Sequence, residues 1–262
     1  MKTSIGIAAI AALAGSAIAG TSYDANVTNN VIFGAGNANG GFTVVRNDTA
    51  GIEIGLRAKL RYDANGQPQN QFNSNGDGTY TFGSHTAALS QFNYEWSVNT
   101  NHNGNGTNLF DVNGDPSYQY RILIDYNPAE GNSDLSEFLV FDPIATNPLV
   151  PFWDHSIGDN TTDQGQGSEA TNAAEYASLA SGNNMAQNSW NMGFFSAFHP
   201  NPFDGLALGE YEIRFEVFEL GVDPLVADAL AGNSIFINVV PMPAASAMAG
   251  VGLLALGARR RR

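Results

Sequence analysis

Apolar and polar residues alternate with a period of two along much of this chain. The clearest run is Glu210 to Glu219, where Tyr211, Ile213, Phe215 and Val217 share one parity and Glu and Arg occupy most of the other. A half-buried antiparallel strand has this pattern, because successive side chains point to opposite faces of the sheet. Weaker runs of the same period cover 27–33, 42–46, 52–62, 79–82, 92–98, 118–126, 138–141 and 234–240. Segments rich in Asn, Gly and Asp separate them: 34–41, 63–78, 99–116 and 127–134. About nine short strands bounded by such turn signals predict a mainly all-β fold, an antiparallel β-sandwich or jelly roll. One segment departs from the pattern. Residues 169–187 are rich in Ala, with Tyr176, Leu179 and Met185 near helical spacing, and predict one or two short helices broken at Gly182-Asn183-Asn184. With no fixed repeat and no linker, residues 20–239 read as a single domain.

Both ends depart from the alternation in a different way. Residues 1–19 hold Lys2, an apolar run from Ile5 to Leu13 and the small pair Ala17 and Ala19 before Gly20. That three-part layout reads as a secretory signal peptide, with cleavage expected after Ala19. The other end, residues 240–262, reads Val240-Pro241-Met242-Pro243, an apolar run from Ala244 to Ala258, and Arg259, Arg260, Arg261 and Arg262. Fifteen helical residues at about 1.5 Å each reach roughly 23 Å, short of a hydrocarbon core of about 30 Å. The arginines suit a cytoplasmic stop that leaves the body outside. This tail resembles a PEP-CTERM sorting signal, with Met242 where the commonest form has Glu. The resemblance implies processing by an exosortase after export through Sec and signal peptidase. It also implies transient anchoring in the inner membrane and delivery to the cell surface or extracellular matrix. Within the body, Gly55 to Tyr62, Phe72 to Tyr80 and Ala186 to Trp190 resemble domains found upstream of such tails, which again implies a location and no particular chemistry.

Composition narrows the chemistry. The 262 residues include no Cys, which removes disulfides, thiolate metal sites and catalytic thiols. A net charge of −14 argues against nucleic acid as a partner. Without Lys2 and the terminal arginines, six basic residues face all 25 acidic ones, a net charge near −19. Those six are Arg46, Arg57, Lys59, Arg61, Arg121 and Arg214, and three of them fall between 57 and 61.

Motifs for nucleophilic hydrolysis, zinc proteolysis and nucleotide binding are missing from the sequence. Gly34 to Gly40 has the glycines of a dinucleotide loop without its spacing or a following helix, so it reads as a turn. Asp154-His155 has the residue types of a metal or acid-base pair, but with so many other loop carboxylates such adjacency is expected by chance, and it reads as a surface turn. Asp111, Asn113 and Asp115 sit at alternating positions like the start of an EF-hand loop, which makes calcium the one candidate cofactor. Pro116 and Ile122 then break the EF-hand pattern. Three tryptophans invite a carbohydrate reading: the alternation assigns Trp96 to the core and leaves Trp153 and Trp190 as candidate ligand platforms. The leading expectation is an exported structural or interaction protein without catalytic activity. A carbohydrate-binding module holding exopolysaccharide is the alternative, and a carboxylate-based glycoside hydrolase the third.

Overall fold

The computed structural model describes residues 19–34, 36–63, 67–84, 90–128 and 135–241. Ala17, Pro243 and Arg259 to Arg262 lie outside the described residues, as does the apolar run of the tail. Among the described residues, no helix is long and apolar enough to cross a membrane.

Two sheets form a β-sandwich. The first contains β1 (Ala19–Ala25), β2 (Phe42–Asn47), β3 (Ile52–Tyr62), β6 (Phe92–Asn99), β10 (Met185–Asn191) and β9 (Ser156–Gly158), in that order, with β4 (Pro68–Gln71) also paired to β3. The second runs β5 (Thr79–Gly83), β12 (Ala231–Val240), β11 (Gly209–Phe218), β7 (Gln119–Asp125), β8 (Phe138–Phe141). All described pairings are antiparallel except β5 with β12. Among the described residues there is one α-helix, α1 (Ala173–Gly182), capped by Asn172, whose side chain accepts from the Glu175 backbone N–H.

The core lies between the sheets. From the first come Ile54, Leu56, Ala58, Tyr94, Trp96, Val98 and Trp190; from the second, Ile122, Ile124, Tyr211, Ile213, Phe215, Ile235 and Ile237. The inward parity of 210–219 is the one its alternation predicts.

Of the one or two short helices expected over 169–187, one forms, α1, ending at Gly182, and residues 185–191 form the strand β10. Two expectations are corrected. Residues 27–33 are no strand: they cross the outer face of the first sheet as a strap, burying Val27, Val31 and Phe33 against Phe42 and Val44. Gly55 in β3 allows this approach, since a Cβ there would lie 2.4 Å from Val27 Cγ1. His155 is fully buried, not part of a surface turn.

Candidate functional site

Over β3, β6 and β10 the outer face of the first sheet is mostly polar, and cross-strand register sets its rows. Lys59, Asn93 and Asn191 face one another across β3, β6 and β10; the next row is Arg57, Glu95 and Ser189, then Gly55, Ser97 and Gln187. The strap covers most of these rows and satisfies them through its own backbone. Glu53 accepts from Thr28 N at 2.7 Å, Gln187 Oε1 accepts from Ile32 N at 2.7 Å, and Arg57 Nη1 donates to the carbonyls of Ala38 and Gly40 at 2.9 and 2.6 Å. Buried polar groups require such partners, because each one left unpaired costs about 1–3 kcal/mol.

Beyond Asn37 the strap no longer covers the face, and a groove of about 400 Å3 opens. Asn37, Lys59, Arg61, Tyr62, Asn93, Ser189, Asn191 and Phe194 line it. Its floor is a hydrogen-bonded network: Glu95 accepts from Arg57 Nε at 2.6 Å, from Lys59 Nζ, and from Ser189 Oγ at 3.0 Å. Lys59 also donates to Asn37 Oδ1 at 2.9 Å, and Asn93 Nδ2 donates to Ser189 Oγ at 3.0 Å. Arg57 lies over the rings of Phe42 and Phe72, 4.1 Å from each centroid. Burial lowers the pKa of both Arg57 and Lys59, and the carboxylate of Glu95 opposes that shift.

Two cations thus share one carboxylate. Arg61 adds a third positive charge at the groove, half-buried and 5.2 Å from the Tyr62 ring centroid. The other three body cations have their own carboxylates: Arg46 with Glu53, Arg121 with Glu216, Arg214 with Glu212. A strongly anionic domain therefore carries a locally positive groove, lined by amides and a hydroxyl and flanked by two aromatic rings.

The residues singled out from sequence lie elsewhere. Trp190 is only 3% exposed, so it presents no platform to a ligand. The register of β10 sets it opposite Tyr94, inside the sandwich, within 5.0–6.1 Å of the Phe195, Trp96, Trp153 and Tyr94 rings. Trp153 is half-buried at the edge of the core, stacked near Phe141 and His155, and its indole N–H donates to the Ala145 carbonyl at 3.1 Å. Asp111, Asn113 and Asp115 form a turn closed by its own hydrogen bonds. Asp111 Oδ1 accepts from the backbone N–H groups of Asn113 and Asp115 at 2.8 and 3.1 Å, while Oδ2 accepts from Asn113 Nδ2 at 3.0 Å. Those backbone bonds hold the Asp111 carboxyl below its usual pKa. Among the described residues, no three His, Asp or Glu side chains converge as a metal-binding group. The Asp111 carboxylate is thus held by the N–H donors of its own turn.

At the chain ends, Ala19 is the first residue of β1, and Val240 the last of β12. The Val240 carbonyl accepts from Ser84 N at 2.8 Å, and exposed Pro241 follows directly. No family model, curated protein or solved structure matches the chain.

Proposed function

We propose that this is an exported structural or interaction protein of the cell surface or extracellular matrix, processed through its C-terminal tail by an exosortase. The observation that carries this reading is the absence of a spacer between the domain and the tail. Val239 pairs with both Gly209 and Phe82, and Pro241 begins the motif two residues later. A cut within Pro241-Met242-Pro243 releases an intact sandwich, whereas a cut before Val239 removes a paired core residue. Proline disfavours helix, so a motif with two prolines is suited to present its backbone to a peptidase. The test is a C-terminal peptide map of surface-fraction protein from a host with and without its exosortase. The expected C-terminus lies within 241–243 only when the peptidase is present; Arg262 retained in both hosts overturns the reading.

A second reading, saccharide contact, draws on the groove over β3, β6 and β10, whose amides, hydroxyl and rim aromatics Tyr62 and Phe194 suit a polyol. Hydrolysis by paired carboxylates draws no support there, since among the described residues Glu95 in the floor is the one carboxylate at the groove, and Arg57, Lys59 and Ser189 hold it.

A further inference from the structure

We propose that the groove on the outer face of the first sheet binds a saccharide bearing a carboxylate, with Arg61 as the residue that selects the charge; this rests on the saccharide-contact reading above. The argument begins with charge balance. Removing the two terminal signals leaves the body near −19, with six cations. Three of those cations are matched one to one by carboxylates on their own or neighbouring strands. The other three sit at alternate positions of β3, at 57, 59 and 61: Arg57 and Lys59 share the single carboxylate of Glu95, and among the described residues no ion pair holds Arg61. Arg57 and Lys59 use both oxygens of that carboxylate, leaving the described groove with two positive charges in excess.

The chemistry of the lining narrows the ligand further. Amide and hydroxyl groups of Asn37, Asn93, Asn191 and Ser189 offer the mixed donors and acceptors that sugar hydroxyls match. Phe194, 53% exposed, and Tyr62 supply apolar faces at the same opening. The volume lies inside the range of about 300–1,000 Å3 usual for small-ligand sites. Arg61 presents a planar fork that bonds a carboxylate in two places, and it can do so without abandoning an ion pair. A densely charged polyanion is disfavoured by the field of the rest of the domain, which would repel every charge beyond the first. The favoured ligand is therefore a largely neutral glycan carrying an isolated uronate.

Calorimetric titration of the full chain in detergent tests this with three probes: a disaccharide ending in glucuronic acid, the matched disaccharide ending in glucose, and inorganic phosphate. The acidic disaccharide is expected to bind about tenfold more tightly than the neutral one, the scale of one charge-assisted contact. Arg61→Gln should bring the two affinities together, and Arg121→Gln, on the other sheet, should preserve the preference. Phe194→Ala should weaken both disaccharides. Equal affinities in the parent chain, a preference that survives Arg61→Gln, or no binding of either sugar overturns the proposal. Phosphate binding as tightly as the acidic disaccharide overturns the saccharide assignment in favour of a general anion site. None of these outcomes touches the sorting reading, which stands or falls on the C-terminal peptide map.

Discussion

His155 makes the pH dependence of stability a sharp test of the packing. Its Nε2–H donates to the Pro143 carbonyl at 2.5 Å and its Nδ1 accepts from Asn188 Nδ2 at 3.0 Å, so both ring nitrogens are matched in the neutral form. A proton on Nδ1 would face the Asn188 amide donor. Turning that amide over would break its bonds to Asp154 Oδ1, 3.1 Å, and from Ser189 N, 2.7 Å. Burial among Trp96, Trp153, Trp190 and Tyr176 lowers the His155 pKa from 6.5 to about 4, outweighing the hydrogen bond to Pro143 and the nearby Asp154 charge. The unfolded chain then binds the extra proton first, so stability falls as pH drops from about 6.5 to about 4. At 1.36 kcal/mol per pKa unit the loss is about 3 kcal/mol, or roughly 6–12 °C in Tm for a domain of this size. Asp125 opposes it. Burial raises that carboxyl from 3.8 to about 6, so the native state binds its proton first and gains stability over nearly the same window as pH falls. The two contributions largely cancel in the parent protein. Single variants separate them: thermal melts of His155→Gln and the parent at pH 7, 6, 5 and 4 should give a stability difference that moves by about 3 kcal/mol in favour of the variant at low pH. Asp125→Asn should show the opposite drift. A difference between His155→Gln and the parent that stays flat from pH 7 to pH 4 refutes the assignment of His155 as a buried neutral imidazole.

Further outcomes follow from the packing. Phe215→Ala, a fully buried ring 5.5 Å from Trp96, should cost about 3–5 kcal/mol in a denaturant titration. Gly55→Ala should cost about 1–3 kcal/mol by pushing the strap off β3, read as faster amide exchange around Val27 than in the parent. Millimolar calcium should leave Tm unchanged, because the turn at Asp111 closes on its own backbone; a clear rise would mean that an ion displaces those bonds. The mature N-terminus, mapped by mass spectrometry, should be Gly20, which keeps the Ser22 to Val44 and Ala25 to Phe42 pairings of β1.

What the sequence disclosed of this fold depended on whether a strand buries one face or two. In β11 and β12 the core residues alternate with more accessible ones, and the period of two marks both strands. In β10, residues 185–187 are buried on both faces, Met185 and Gln187 outward under the strap and Ala186 inward. Alternation vanishes there, and the Ala-rich approach gives the whole segment a helical look. The edge strand β1 fails for the opposite reason: its residues Thr21, Ser22 and Asp24 are exposed, so no apolar face signals a strand. Residues 27–33 carry the right apolar residues and the wrong geometry, because their burial comes from lying across a sheet and not within one.

The groove lay deeper still, because its defining property is a difference between pairings. Arg57, Lys59 and Arg61 at alternate positions are visible in the chain, and alternation alone assigns them to one face of one strand. Whether that face is neutral depends on β6, which supplies Glu95 from 38 residues beyond Arg57, and on β10, which supplies Ser189 from 94 residues beyond Glu95. Had the register of β6 slipped by one residue, Glu95 would point into the core and leave Arg57 and Lys59 buried without a counter-charge, at a cost of several kcal/mol per ion. The ion network therefore helps fix the register of the three strands. Once it has done so, its only carboxylate is consumed, and the cation at the open end is left facing the groove. In this domain the charge that locks the sheet and the charge available to a ligand come from the same short run of β3.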